Sequence, residues 1–198
     1  NDKNYRDIYA QSINSTGTAQ WTLDGIPVCT NSNTQQSQKM ISDGQGGAII
    51  CWEDQTNGFP VIYAQAVDSS GTIKWTSNGV RATGLYGYEQ VPQIISDGNG
   101  GAIITWEDNR NSATGGWDIY AQAFNSSGVA QWGIYGAEVC VTPVYNHQLA
   151  PQIVSDGHGG SIISWQDNRN NSEYYDIYAQ SLDGTGLVPV ELSGFAAE

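Results

Sequence analysis

Ser96-Asp97-Gly98-Asn99-Gly100-Gly101-Ala102-Ile103-Ile104-Thr105-Trp106 decides the fold, because the chain writes it three times. The pattern Ser-Asp-Gly-x-Gly-Gly begins at Ser42, Ser96 and Ser155, with spacings of 54 and 59 residues, and each copy runs through two isoleucines to Trp52, Trp106 or Trp165. Working outward, Asp118-Ile119-Tyr120-Ala121-Gln122 follows it. That motif has counterparts at Asp7 to Gln11, Ile62 to Gln65 and Asp176 to Gln180, and its isoleucines are 54, 57 and 58 residues apart. A third element places Trp21, Trp75 and Trp132 four residues before Gly25, Gly79 and Gly136. Three motifs that keep one order and nearly one period define an internal repeat.

Each period reads as four short strands. Pro92 to Ser96 is a short apolar run. The Asp-Gly-x-Gly-Gly stretch is a tight hairpin turn, since glycine tolerates the positive φ that such turns require. Ala102 to Trp106 is β-branched and aromatic, as strands prefer. Asp118 to Asn125 gives strand three, the turn Ser126-Ser127-Gly128 follows, and strand four is expected to start near Val129 to Trp132. No stretch keeps a helical apolar period. Four antiparallel strands per 50 to 60 residues is the arithmetic of a propeller blade.

The expected architecture is therefore all-β: a β-propeller-type array of four-stranded antiparallel blades, about three and a half repeat units long, open or completed by other chains. The units fall at 1–35 (a partial blade), 36–89, 90–149 and 150–198, the last with a weak final strand around Leu187 to Leu192. In Ile119 to Phe124 one face carries Ile and two Ala, the other Tyr, Gln and Phe. A small face and a large face suit blades that stack on one another, so six of the seven tryptophans are expected in the packing between them.

With 20 acidic residues against 7 basic ones, the net charge is −13. Such a chain repels phosphate backbones and anionic lipid, which argues against nucleic acid and against membrane insertion. Low lysine with abundant Asn, Thr, Gly and aromatics fits an extracellular or cell-surface protein. Cys29 and Cys140 occupy matching repeat positions and read as small buried hydrophobes; a Cys29–Cys51 bridge is left open.

The repeat, Pro-x-Ile-x-Ser-Asp-Gly-x-Gly-Gly-x-Ile-Ile-x-Trp-x-Asp-x-Arg followed by Asp-Ile-Tyr-Ala-Gln and Gly-x-x-x-Trp, resembles repeats of large secreted bacterial β-propeller proteins. The resemblance spans essentially the whole chain. It implies architecture and extracellular placement, not a reaction. The turn is also similar to the Asp-box of sialidase-like propellers, but Trp lies nine residues after Asp43, Asp97 or Asp156, too far for that motif, so no sialidase activity is carried over.

Catalysis needs a singular constellation, whereas the obvious acids here recur. Asp54, Asp108 and Asp167 follow the strand-two tryptophan, and Arg110 and Arg169 follow two residues later, which reads as a structural loop brace. Glu53-Asp54 and Glu107-Asp108 are adjacent carboxylates, but neighbouring strand residues point to opposite faces and do not converge. His158 sits in a Gly-rich turn and His147 in a connecting loop, with no zinc-site spacing. No cofactor is expected, although the oxygen-rich loops Asp108 to Ser112 and Asp167 to Ser172 leave calcium open.

Strand direction puts the variable two–three loops and the inter-blade connections on one side of the array, opposite the short turns. These variable segments are aromatic. Phe59, Trp117, Tyr174 and Tyr175 lie in the loops, and Tyr86, Tyr88, Tyr145 and His147 in the connections. Loops on a rigid scaffold carry binding, so these eight residues are the candidate site for a glycan or protein ligand. The expectation is a non-catalytic binding or structural scaffold. The alternatives are a propeller-supported carbohydrate-active enzyme and a subunit that self-associates through its edge strands.

Overall fold

The computed structural model describes residues 5–56, 58–84, 87–111, 116–141, 146–170 and 173–188. Among them there is no helix, and every strand pairing is antiparallel. The first unit is a two-stranded sheet of β1 (Ile8–Ala10) and β2 (Ile26–Cys29). The second is β3 (Gln35–Ser42), β4 (Ala48–Thr56), β5 (Phe59–Val67) and β6 (Val80–Arg81) in that order. The third repeats it with β7 (Glu89–Ser96), β8 (Ala102–Asp108), β9 (Asp118–Phe124) and β10 (Ala137–Cys140). The fourth has β11 (Gln148–Ser155), β12 (Ser161–Asp167) and β13 (Asp176–Leu182). The chain is an open β-propeller-type array. Leu187 and Val188 are not in a strand, and the rest of the expected final strand lies outside the described residues.

Two strand boundaries differ from expectation. Strand four is not Val129 to Trp132 but β10, which starts eight residues after Val129. The reason is Gln122. Its Oε1 accepts the N–H groups of Ala123 (3.1 Å) and Trp132 (2.9 Å), and its Nε2 donates to the Gly133 carbonyl (2.7 Å). One side chain thus takes up backbone groups that a strand would have paired. Strand one starts at Glu89 rather than Pro92 because the run contains a bulge. Val91 sits there at φ 54°, and Ser37 (57°) and Ala150 (53°) repeat it. Positive φ is costly for a β-branched residue. The bulge turns the Val91 N–H toward the preceding blade, where Glu53 Oε1 accepts it at 2.9 Å; Glu107 does the same for Ala150 at 2.7 Å. A charge-assisted bond offsets the strain.

Between blades, large side chains meet small ones. Trp106, Tyr120 and Phe124 of the third blade pack with Ile49, Cys51, Ile62 and Ala64 of the second. Trp165 and Leu182 repeat this against Ile119 and Ala121, and Trp52 against Ile8 and Cys29. A second set of tryptophans reaches forward. Trp75 Nε1 donates to the Ser126 carbonyl (3.1 Å) of the next blade, and its ring lies so close to Gly128 that a Cβ there would be 2.5 Å away. Trp21 and Trp132 make the same bond to Ser69 and Gly184. Trp21 is only half-buried, unlike the other repeat-register tryptophans. All three cysteines are free, so no Cys29–Cys51 bridge forms.

The junction between the second and third blades departs from the others. Asp7, Asp118 and Asp176 begin their repeats of strand three, but Val61 stands at that position in the second blade. Gln35 and Gln148 open strand one, but in the third blade Glu89 does. Glu89 crosses to the second blade, accepting the Ile62 N–H (2.9 Å) and the Thr83 hydroxyl (2.8 Å), with Arg81 Nη2 at 3.6 Å. Burial is the main reason its pKa rises to about 7; the Asp108 carboxylate adds to the rise, while the two hydrogen bonds and Arg81 act against it.

Two stability predictions follow from these contacts. At Gly101 an added Cβ would lie 2.1 Å from the Phe124 carbonyl oxygen, whereas Gly98, at φ 79°, has open space. Gly98→Ala should cost about 1 kcal/mol from backbone strain alone, and Gly101→Ala at least about 3 kcal/mol; equal losses in denaturant melts refute the close approach. For Glu89, a folded-state pKa raised above the unfolded value means that the proton is held more tightly when folded. Its stabilisation is full below the unfolded pKa and is lost as pH rises through about 7. Glu89→Gln should match the parent near about pH 5 and exceed it by up to about 3 kcal/mol near about pH 8. A variant melting with the parent's pH slope rules this out.

Candidate functional site

The aromatic residues of the variable loops divide into two groups. Phe59 opens β5, Tyr88 immediately precedes β7, and Trp117 immediately precedes β9. Their rings form a strip across the second and third blades. Phe59 and Tyr88 meet edge to face with centroids 4.8 Å apart, and Tyr88 and Trp117 do so at 6.4 Å. Phe59 and Tyr88 remain 42% and 43% exposed, so the strip offers apolar surface to solvent. Tyr174 and Tyr175 are exposed on the fourth blade and make no ring contact with the strip. Tyr86 and Tyr145 lie outside the described residues.

Backbone bonds hold the strip in place. The Asn109 N–H donates to the Tyr88 carbonyl (2.9 Å), and the Gln148 N–H to that of Trp117 (2.7 Å). Trp117 bridges His147 in parallel fashion, and the His147 N–H donates to Asn168 Oδ1 (2.7 Å). Gly116 makes this possible, because a Cβ would sit 2.2 Å from the Asn146 carbonyl oxygen. His147 is thus beside Trp117, and its Nδ1 is buried without a hydrogen-bond partner.

The acids are engaged in structure. Asp108 accepts the Trp106 indole N–H (2.9 Å), the Arg110 N–H (2.8 Å) and the Arg110 guanidinium, which lies 3.7 Å over the Tyr120 ring. Asp167 has the same partners in Trp165 and Arg169, with Arg169 4.2 Å over Tyr178. Burial works to raise the Asp167 pKa, but the bonds from Arg169 and Trp165 outweigh it and hold it below the ordinary range. Asp54 has no arginine. Four neutral donors hold it instead: Asn31 (3.0 Å), Asn33 (2.9 Å), Gln35 (3.0 Å) and Thr56 (2.8 Å). Glu53 and Glu107 point away from these aspartates, to Gln36 and Gln90 and to the bulges of the next blade.

Glu89 is a buried carboxylate that the repeat does not explain, and inspection of the motifs missed it. Aligning Gln35, Glu89 and Gln148 by period exposes it. It is buried, with both carboxylate oxygens hydrogen-bonded. On the short-turn side, a cleft of about 540 Å³ is lined by Asp43, Gln45, Asp68, Lys74 and Ser126, among others. Each aspartate holds its own turn through one oxygen, Asp43 Oδ1 accepting the N–H groups of Gln45 and Gly47, and Asp68 Oδ1 those of Ser70 and Thr72. Among the described residues no three His, Cys, Asp or Glu side chains are grouped to hold a metal ion.

No family model matches the chain, and no curated protein matches it. A solved structure does: the GH93 α-L-arabinofuranosidase of Fusarium graminearum in complex with arabinobiose, at a TM-score of 0.58 and 11% identity. The alignment covers 81% of this chain, which spans 50% of that one. A likeness at such low identity speaks to fold alone. It agrees with the strand order, and the chain is similar to half of a β-propeller.

Proposed function

We propose that this chain is a non-catalytic, extracellular β-propeller-type binding module whose ligand surface is the strip Phe59, Tyr88 and Trp117, and whose ligand is a glycan. The strip carries the reading. Three rings on loops anchored to rigid sheets, two of them more than two-fifths exposed, form a stacking surface for the apolar faces of sugar rings. Asn, Gln and Asp side chains are abundant in the same loops and connections. The solved neighbour, an arabinofuranosidase bound to arabinobiose, supports sugar handling on this kind of scaffold. The acidic, lysine-poor composition supports placement outside the cell.

The same neighbour favours a second reading, a propeller-supported carbohydrate-active enzyme. Glu53, Asp54, Glu107 and Asp108 are all committed to blade and loop hydrogen bonds, however, and Glu89 is sealed from solvent. Catalysis needs carboxylates that meet at a substrate. Binding is the better account.

Affinity electrophoresis on a panel of arabinans, xylans and other polysaccharides tests it. Tyr88→Ala should weaken retention about tenfold or more, as expected for losing one stacking ring of about 1.4 kcal/mol. Phe59→Ala should act in the same direction, and Tyr174→Ala, outside the strip, should leave retention close to the parent's. A panel with no retained polysaccharide, or Tyr88→Ala retained like the parent, sinks the glycan reading.

A further inference from the structure

The loop brace of the second blade differs from its two counterparts in charge. Arg110 and Arg169 neutralise Asp108 and Asp167, but four residues after Trp52 the chain carries Thr56 where each of those blades carries arginine. Asp54 is no less buried, at 0% exposure, and its donors from Asn31, Asn33, Gln35 and Thr56 are all neutral. A buried carboxylate without a cationic partner is costly. The loss of the arginine coincides with a gain of oxygen-bearing groups in the preceding connection. Asn31 and Asn33 stand there where the later blades have Leu85 and Gly87, or Val144 and Asn146.

Oxygens converge on one point of this cradle. Gln35 Nε2 donates to Asn31 Oδ1 (2.6 Å), to the Asn33 carbonyl (2.7 Å) and to Asp54 Oδ2 (3.0 Å), so three oxygens surround it at close to the range of about 2.3–2.6 Å that calcium takes. Gln35 is 1% exposed, yet its Oε1 is buried with no hydrogen-bond partner. A half-turn of the amide exchanges the two ends and brings that oxygen in among the other three. Its counterpart Gln148 directs its nitrogen to Asp118 Oδ1 (3.1 Å) and the Trp117 carbonyl (2.9 Å) of the preceding blade. Four oxygens facing one another, one of them from a carboxylate, call for a cation between them.

We infer that Asp54, Asn31, Asn33, Gln35 and Thr56 form a calcium site, in which the ion plays the part that arginine plays in the next two blades. The ligands are the Asp54 carboxylate, the side-chain oxygens of Asn31 and Gln35 and the Asn33 carbonyl. The Thr56 hydroxyl, 2.8 Å from Asp54 Oδ1, and water complete the shell. A set made only of oxygens suits a hard cation, and an irregular one suits calcium better than magnesium, which demands near-ideal octahedral geometry. A single carboxylate places the affinity at the weak end of protein calcium sites. The bound ion would tie the 31–33 connection to the end of β4 and so stabilise the folded chain.

Calcium titration of the chelator-treated chain at physiological salt, followed by calorimetry and by the melting temperature, tests the site. One ion per chain is expected, with a Kd of about 0.1–1 mM, and a melting temperature that rises with calcium and responds weakly to magnesium. Asn31→Ala and Thr56→Val should each weaken binding about tenfold or more. Thr56→Arg should remove the calcium response while the chain stays folded, because the guanidinium then supplies the charge. Asn170→Ala, on the arginine-braced loop of the fourth blade, should bind like the parent. Circular dichroism verifies that each variant keeps its sheet content. A parent chain with no saturable calcium binding overturns the site. Binding that survives Asn31→Ala, Thr56→Val and Thr56→Arg alike overturns it as well, and assigns the ion to the diffuse field of a chain with net charge −13.

Discussion

Every blade in this molecule leans on the small-residue face of the blade before it. Trp52, Trp106 and Trp165 are fully or nearly buried there, against Ile8, Ile62 and Ile119 respectively. Burying one such side chain removes roughly 200 Å² from water, worth about 5 kcal/mol at 25 cal/mol per Å². The forward-reaching tryptophans Trp75 and Trp132, 7% and 8% exposed, add contacts of the same order. The hairpin turns, the loop braces and the bulges all serve to bring those two faces to contact distance. Gly128 shows how tight the fit is, since the Trp75 ring of the preceding blade leaves it no room for one more carbon.

That contact was legible in the sequence, because its residues recur at a fixed period and alternate in size along strand three. The four-stranded unit and the positions of the turns were legible for the same reason. Strand four was misplaced because a glutamine side chain substitutes for backbone pairing, and nothing about Gln122 in isolation announces that. The bulge at Ser37, Val91 and Ala150 was hidden more deeply. Its three residue types share no preference for positive φ. What holds them there is, at two of the three, a glutamate on a different blade.

The candidate site was half legible. Aromatic character placed Phe59, Tyr88 and Trp117 on the variable face, and strand direction put them on the same side. That they touch one another, while Tyr174 and Tyr175 stand apart, depends on how far each loop leans over its blade. The acids show the same division. The Asp–Arg braces at Asp108 and Asp167 could be anticipated from spacing, but the all-amide cradle of Asp54 could not, because Asn31 and Asn33 come from the preceding connection.

The exchange at Val61 and Glu89 reaches beyond local electrostatics. In a chain of near-identical units, the wrong two blades can meet while the protein is folding. Third-blade Asp118 facing Glu89 would set two acids together in a dry junction, a costly arrangement. Val61 facing Gln148 would take away the carboxylate at 3.1 Å that the Gln148 amide can reach on Asp118. The pair thus works as an address. It sets the junction of the second and third blades apart from the other two, which share one Asp–Gln pair, and so makes that one step in the order of the repeats something the folding chain can read.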